Sequence, residues 1–180
     1  IYREDQDFEI FHDKGLTAVT NPASNLKLAS GIAPIQRYLD EGIALAIGTD
    51  GPASNNCLDM FREMFLTTAL AKVKEKDAAC VPAEEVLYMA TAAGAKCMGL
   101  DDCDQLAVGK KADIIMLDLM QPNMQPENHL AKNIVYSGSK QNVAMTMVNG
   151  QILYENGQFF IGFDPKEIYA KANAIIGRMK

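Results

Sequence analysis

Two short, mainly apolar runs, at residues 16–19 and 43–47, punctuate the first part of the chain. A short apolar run without polar alternation is typical of a strand that is buried on both faces of a parallel sheet. Helical patterns at residues 3–14 and 34–41 precede the two runs, and a glycine follows each of these helices. This alternation of helix and strand predicts an α/β fold in which right-handed crossovers join parallel strands.

The middle of the chain predicts one loop and two longer helical stretches. Residues 20–31 contain a cluster of turn-forming residues and predict a loop after the first strand. Residues 82–98 predict a helical stretch that Gly94 would break or loosen. Residues 58–76 predict a long helix. Its predicted buried face is formed by four apolar residues, Leu58, Phe61, Phe65 and Ala69.

After residue 100 the pattern changes from long helices to closely spaced strands. The Asn-Gly pairs at residues 149–150 and 156–157 are strong signals for tight hairpin turns, so an antiparallel unit is expected from about residue 112 to residue 160. Asp164 followed by proline then predicts the start of a final helix. The predicted strands are residues 114–119, 133–136, 143–148, 151–154 and 158–160.

Asp50 is a candidate for chemistry in this pattern. The apolar run of residues 43–47 ends shortly before it and Pro52 prevents further strand pairing, so Asp50 lies at the carboxyl end of a buried strand. In α/β barrels that edge carries the catalytic groups. Two structural roles suit the position equally well: Asp50 could cap the helix predicted from residue 58, or it could form a turn with Gly51.

Composition narrows the functional classes. The 180 residues carry a net charge of −6, which argues against a nucleic-acid partner. No apolar run approaches the ~20 residues of a membrane span, and no secretory signal is visible. The four cysteines lack metal-binding spacing and are interpreted as reduced thiols of a cytoplasmic protein. The first residue is Ile1 rather than methionine, which predicts a processed product or a fragment.

Three motifs resemble the closing third of the metal-dependent amidohydrolase superfamily. They are Asn-Pro-Ala-Ser-Asn-Leu-Lys-Leu at residues 21–28, Gly-Ile-Ala-Pro at residues 31–34 and Gly-Thr-Asp-Gly-Pro-Ala-Ser-Asn-Asn at residues 48–56. Within the superfamily they are most similar to the methylthioadenosine/S-adenosylhomocysteine deaminases and the related chlorohydrolases. The segment at residues 106–114 also resembles the strand with which such chains return to a β-sandwich beside the barrel.

The resemblance implies a fold and a division of the chain. The family combines an eight-stranded β/α barrel with a small β-sandwich that both chain ends form. This chain would be a carboxy-terminal part of such a protein. Residues 1–105 would be the last part of a (β/α)8 TIM-like barrel, residues 106–163 a small antiparallel β-sandwich portion, and residues 164–180 a C-terminal helix.

The resemblance also implies the candidate site. The family's metal site uses several histidines and an aspartate after the eighth strand, and Asp50 matches that aspartate. Asp50 would bind the metal and, as the catalytic base, take a proton from a water molecule that the metal acidifies. Ser54 is a candidate substrate contact, although capping of the following helix is an equally plausible role. The histidine ligands have no match, because His12 falls in a helix and His129 in a loop.

The implied function is hydrolytic deamination of an adenosine-type purine, such as S-adenosylhomocysteine or methylthioadenosine, with one divalent metal ion. Zinc is the expected metal and iron the alternative; a triazine or guanine is the alternative substrate. One carboxylate is too few ligands for a catalytic metal. This chain alone is therefore expected to be inactive, to hold no catalytic metal, and either to self-associate or to require a missing amino-terminal segment. The rival hypothesis is a non-catalytic fragment.

Overall fold

A computed structural model describes residues 4–179 and shows helices that alternate with two short strands in the first half of the chain. The helix predicted at residues 3–14 is present, although residue 3 lies outside the described residues. The elements of this half are α1 (Asp5–Asp13), β1 (Ala18–Thr20), α2 (Pro22–Lys27), α3 (Ile35–Asp40), β2 (Leu45–Ile47), α4 (Pro52–Asn55), α5 (Met60–Glu75), α6 (Ala83–Ala90) and α7 (Ala92–Cys97).

The strands β1 and β2 pair in parallel, which confirms the sequence prediction. Thr20 lies opposite Ile47, and all three residues of β2 are buried, as its unbroken apolar run indicates. The ladder continues to the carboxyl ends, where the amide of Gly48 donates to the carbonyl oxygen of Thr20 at 2.9 Å. A Cβ atom on Gly48 would lie 2.5 Å from Oδ1 of Asn21, so glycine allows these strand ends to approach closely.

The hydrophobic core lies between this strand pair and the helices around it. Helix α5 packs against α2, α3 and α6, while α6 and α7 contact β2. Each large apolar side chain buried in this way contributes about 1.5–3 kcal/mol to the free energy of unfolding. The largest members of the core cluster are Phe8, Ile35, Tyr38, Ile43, Leu45, Ile47, Phe61, Met64 and Met89.

The predicted buried face of α5 is wrong in part. Phe61 is buried, but Phe65 is 46% exposed and Leu58 is 49% exposed. Leu58 precedes the first helical residue and therefore does not follow the helical period. The buried stripe instead includes polar side chains that apolar periodicity cannot reveal. Its members are Phe61, Glu63, Met64, Thr67, Thr68 and Ala71.

Two further predictions in this half are corrected. The segment expected to be a loop at residues 20–31 contains α2, because proline is well tolerated in the first turn of a helix. The helical stretch at residues 82–98 is divided into α6 and α7. The break occurs at Thr91, whose backbone angles are φ −125° and ψ −94°, and not at Gly94.

The second half forms the predicted antiparallel sheet. Its strand order is β3-β4-β5-β6, and the strands are β3 (Ile114–Leu117), β4 (Val143–Val148), β5 (Gln151–Glu155) and β6 (Gln158–Phe159). Both Asn-Gly pairs form the turns of hairpins, and all four of their residues have positive φ angles between 46° and 86°. Such angles match the type I′ turn that Asn-Gly favours.

The strand predicted at residues 133–136 is wrong, because this segment is helical. The short helix α8 (Leu130–Lys132) continues into a π-helical turn, Asn133–Ser137. Nδ2 of Asn133 donates to the carbonyl oxygen of Met124 at 2.8 Å, and the side chain of Val135 is buried. These tertiary contacts override the β propensity of the isoleucine and valine in the segment.

The chain ends in the predicted helix, α9 (Pro165–Arg178). Asp164 caps it by accepting a hydrogen bond from the amide of Lys166 at 2.9 Å. None of the residues of α9 is buried. Among residues 4–179, no helix is both long enough and apolar enough to cross a bilayer.

Candidate active site

Asp50 lies beyond the carboxyl end of β2 and is exposed. Its Oδ2 accepts a hydrogen bond from Oγ of Ser24 at 2.7 Å, and its Oδ1 accepts one from the amide of Gly51 at 2.7 Å. The bond to Gly51 joins adjacent residues and is therefore not the Asx turn considered from the sequence, which needs the amide two residues on. Because a carboxylate oxygen has two lone pairs, both oxygens of Asp50 retain capacity for a further partner.

Hydrogen bonding holds the pKa of Asp50 below its ordinary value. The hydroxyl of Ser24 is the largest cause, followed by the amide of Gly51 and the hydroxyl of Ser54, while desolvation acts in the opposite direction. Each donor stabilises the charged form of the side chain. Asp50 is therefore a carboxylate at neutral pH, which is the form that binds a cation or accepts a proton.

The helix-capping roles considered for Asp50 and Ser54 are both wrong. Helix α5 is capped by Asp59, whose Oδ1 accepts a hydrogen bond from the amide of Phe61 at 3.1 Å. Ser54 lies in α4, and the carbonyl oxygen of Gly51, at 3.1 Å, is an alternative acceptor to Asp50 for its single hydroxyl proton. Contact between Ser54 and a substrate stays a prediction.

Sequence reasoning missed a buried carboxylate behind this site. Glu63 is fully buried; its Oε2 accepts from the amide of Ala23 at 2.9 Å, and its Oε1 accepts from Nδ2 of Asn55 at 2.7 Å. Nδ2 of Asn55 also donates to the carbonyl oxygen of Thr49 at 2.6 Å. An acidic residue in the first turn of a helix normally needs no partner, because the helix dipole favours it there. For that reason the sequence gives little signal of this role.

Lys27 provides a second link between α2 and the loop that carries Asp50. Its Nζ donates to the carbonyl oxygen of Ala53 at 2.9 Å and also contacts Oδ1 of Asn56. Together with the bond between Ser24 and Asp50, this link attaches α2 at two points to the segment that follows β2. The helix that follows β1 therefore restricts the position of the segment that follows β2 and carries Asp50.

The described residues can supply one ligand for a divalent metal at this site, but not a complete set. Asp50 fits that role because its carboxylate is ionised, exposed and held by two donors. Among residues 4–179, no three His, Cys, Asp or Glu side chains cluster in a way that could hold a metal ion. His12 lies beside Asp13 on α1, and Nε2 of His129 lies 3.0 Å from Glu84.

Replacing Ser24 by alanine is expected to raise the pKa of Asp50, because the strongest donor to its carboxylate is removed. The side-chain carboxyl 13C shift of Asp50, followed against pH in the metal-free protein, measures this change. In the unaltered protein the lowered pKa stabilises the fold above the unfolded-state pKa, and that contribution is lost as the pH falls through the folded-state pKa.

The control for this experiment is Ser54→Ala, which removes a weaker contributor and should raise the same pKa by a smaller amount. If Ser24→Ala left the pKa of Asp50 unchanged, or if Ser54→Ala had the larger effect, the described hydrogen-bond arrangement around Asp50 would be wrong.

Comparison with known proteins identifies the family. The model of the amidohydrolase family matches residues 1–153, and the chain therefore belongs to this family. It is similar to the 5-methylthioadenosine/S-adenosylhomocysteine deaminase of Dictyoglomus thermophilum, with 43% identity over 155 residues. That match covers 86% of this chain and 36% of the relative. The resemblance inferred from the sequence motifs is thereby confirmed.

Two solved structures share the fold. An adenosine deaminase from Xanthomonas campestris with bound zinc is 33% identical with a TM-score of 0.93, over 98% of this chain and 40% of that one. An atrazine chlorohydrolase from Arthrobacter aurescens complexed with zinc is 31% identical with a TM-score of 0.83, over 98% of this chain and 39% of that one. The chain thus spans less than half the length of each relative.

Proposed function

We propose that this chain is the carboxyl-terminal part of a metal-dependent amidohydrolase that removes the amino group of an adenosine-type purine. S-Adenosylhomocysteine and methylthioadenosine are the proposed substrates. The observation that carries the proposal is the exposed, ionised carboxylate of Asp50, which Ser24 and Gly51 hold at the end of a buried parallel strand. The activity in the name of the Dictyoglomus relative supports the substrate class.

The proposal includes an architecture. The parallel pair β1 and β2 would be the last two strands of an eight-stranded β/α barrel, which residues 1–105 help to form. Residues 106–163 would belong to a β-sandwich, and residues 164–180 would complete the chain as a helix. The buried β2 and the antiparallel order of β3 to β6 support this division. Catalytic groups in such barrels lie where Asp50 lies.

Asp50 would act both as a metal ligand and as the group that moves the proton. When bound, a divalent cation, zinc in this proposal and iron as the alternative, would supply Lewis acidity that lowers the pKa of a water molecule. Asp50 would accept the proton of the attacking water and pass it to the departing amine, which leaves as ammonia. Ser24 would keep the carboxylate in its ionised form and restrict its rotation. Ser54 is the proposed substrate contact.

A second candidate activity is hydrolysis of a substituted triazine. It is supported by the similarity to the atrazine chlorohydrolase, whose fold this chain shares with a TM-score of 0.83. The two activities differ in the leaving group, which is ammonia from the purine and chloride from the chlorinated triazine. The purine is favoured because both the Dictyoglomus relative and the Xanthomonas campestris structure, which has the higher TM-score of 0.93, are named as deaminases of adenosine-type compounds.

The test is a substrate panel with the full-length protein, loaded with zinc and assayed separately with S-adenosylhomocysteine, methylthioadenosine, adenosine, guanine and atrazine. Release of ammonia and of chloride is measured in each reaction. We expect ammonia release to be fastest with one of the first two compounds. Chloride release from atrazine without purine deamination would favour the second activity, and no turnover of any purine would overturn the proposed one.

The 180-residue chain produced alone is expected to associate or to be poorly soluble, and to hold less than one metal ion per chain. The described structure pairs β1 with β2 alone, and Val19 on β1 is 48% exposed. Exposed strand edges and large apolar patches recruit other chains. The exposed apolar residues at the carboxyl end include Phe159, Phe160, Phe163, Ile168, Tyr169 and Ile176.

Light scattering and metal analysis of the isolated chain check this expectation. A maltose-binding-protein fusion of the same residues, compared before and after cleavage, shows whether association begins when the fusion partner is removed. A monodisperse monomer that carries one zinc ion per chain would contradict both parts of the prediction.

A further inference from the structure

Asp50 and Glu63 belong to one closed ring, here named the site ring, in which four hydrogen bonds are joined through neighbouring residues of the chain. Starting at Asp50, it passes through Ser24 to the neighbouring Ala23, whose amide donates to Glu63. Glu63 accepts from Asn55, which donates to the carbonyl oxygen of the residue that precedes Asp50. The members of the site ring are Asp50, Ser24, Ala23, Glu63, Asn55 and Thr49.

We infer that Glu63 is a positioning residue, which acts through Asn55 and Ala23 to fix the orientation of the Asp50 carboxylate. This inference rests on the proposed function, because that proposal assigns the metal and the proton transfer to Asp50. Glu63 does not itself bond to Asp50; it connects α2 and α4, the two helices whose residues hold Asp50 and the peptide group before it.

The burial of Glu63 is energetically unfavourable, which indicates that its side chain has a role other than packing. Glu63 is fully buried, as are the apolar Phe61 and Met64 of the same helix, and removal of a polar group from water is unfavourable unless hydrogen bonds compensate it. A buried ionic group is weak evidence for stability, because an apolar residue of the same volume often serves the fold as well or better. What an apolar residue cannot do is accept the two hydrogen bonds that Glu63 accepts.

The two bonds at Glu63 require an acceptor on both of its side-chain oxygens. Nδ2 of Asn55 has two protons, which go to Glu63 and to the carbonyl oxygen of Thr49, while its Oδ1 accepts from the amide of Cys57 at 3.3 Å. These three partners fix which way the Asn55 amide points. Ala23 also presents a donor, so Glu63 must offer an acceptor on each of its two oxygens. Glutamine offers an acceptor on one side only.

The backbone of Asp50 explains why its position needs such support. Asp50 has a φ angle of 59°, in the left-handed region that residues other than glycine adopt uncommonly. A residue persists there when its surroundings determine its conformation. Asn55 holds the peptide group before Asp50, and Ser24 holds the carboxylate of Asp50 itself. Glu63 connects these two restraints, since it bonds to Asn55 and to the residue before Ser24.

The test compares Glu63→Gln with Thr68→Val in the full-length protein. The first variant changes one acceptor to a donor with almost no change in volume. The second removes another buried hydrogen bond of α5, from Oγ1 of Thr68 to the carbonyl oxygen of Val81 at 2.8 Å, outside the site ring. The readouts are melting temperature, hydrogen–deuterium exchange of residues 49–56, zinc affinity by chelator competition, and kcat and KM for deamination.

For Glu63→Gln we expect faster exchange in residues 49–56 and a loss of about 10- to 100-fold in zinc affinity and in kcat, with a smaller effect on KM. For Thr68→Val we expect a lower melting temperature, but exchange of that segment, zinc affinity and kcat within about twofold of the unaltered protein. A Glu63→Gln variant that lowers only the melting temperature would overturn the inference.

Failure of the proposed function can be distinguished from failure of this inference. If the unaltered protein releases no ammonia from any purine, the proposed activity is wrong. The contrast in exchange and in zinc affinity between the two variants still decides the role of Glu63, because neither measurement needs a substrate. Equal exchange of residues 49–56 in both variants would show that Glu63 does not position Asp50, whatever the reaction.

Discussion

Replacing Asp50 by asparagine in the full-length protein is expected to lower kcat for purine deamination by at least about 10³-fold. The neutral amide binds a cation weakly and cannot accept a proton from water. It also has one acceptor oxygen where the carboxylate has two, so it cannot accept from both Ser24 and Gly51. Because Asp50 is exposed, the fold should persist. The measurements are kcat, bound zinc and the melting temperature.

Asp59→Asn is the matched control for this substitution. It makes the same chemical change nine residues later, where Asp59 caps α5 through its bond to the amide of Phe61. Asparagine caps helices about as well as aspartate, so the melting temperature should be nearly unchanged. The kcat should stay within about twofold of that of the unaltered protein. If both variants kept most of the kcat of the unaltered protein, Asp50 would be a turn residue without a catalytic role.

Local chemistry allowed the sequence to predict a large part of the fold. The burial of β2 follows from its unbroken apolar run, and the two hairpins follow from Asn-Gly pairs that readily adopt positive φ angles. The failure at residues 133–136 has the opposite cause. An isoleucine and a valine favour a strand locally, but the bond from Asn133 to Met124 and the burial of Val135 depend on tertiary contacts.

The candidate site also contains one residue whose position follows from local sequence and one whose role depends on tertiary contacts. The position of Asp50 could be predicted because it depends on the strand immediately before it, and the structure places Asp50 at that strand end with two donors to its carboxylate. Its catalytic role stays a prediction. Glu63 could not be predicted as its support. The amide that Glu63 binds lies 40 residues earlier in the sequence, on a helix that the pattern assigned to a loop. No periodicity within α5 reveals a partner at that separation.

Replacing Gly138 by alanine is expected to destabilise the protein by about 3 kcal/mol. A Cβ atom there would overlap the carbonyl oxygen of Ile134 and lie 2.9 Å from Cδ1 of Phe61. The Ile134 oxygen belongs to the π-helical turn and cannot move alone, while Phe61 is buried in the core beside it. The free energy of unfolding, measured by urea denaturation, tests this expectation.

Gly177→Ala separates this steric effect from the general effect of adding a methyl group. Gly177 lies in α9, where a Cβ atom would meet nothing within 4 Å. Alanine is the better helix former, so this variant should be unchanged or more stable by up to about 1 kcal/mol. The φ angle of Gly138 is −63°, which any residue can adopt, and a loss there therefore reports the clash rather than backbone strain. Equal stability of the two variants would mean that the turn after Ile134 is not packed against Phe61 as described.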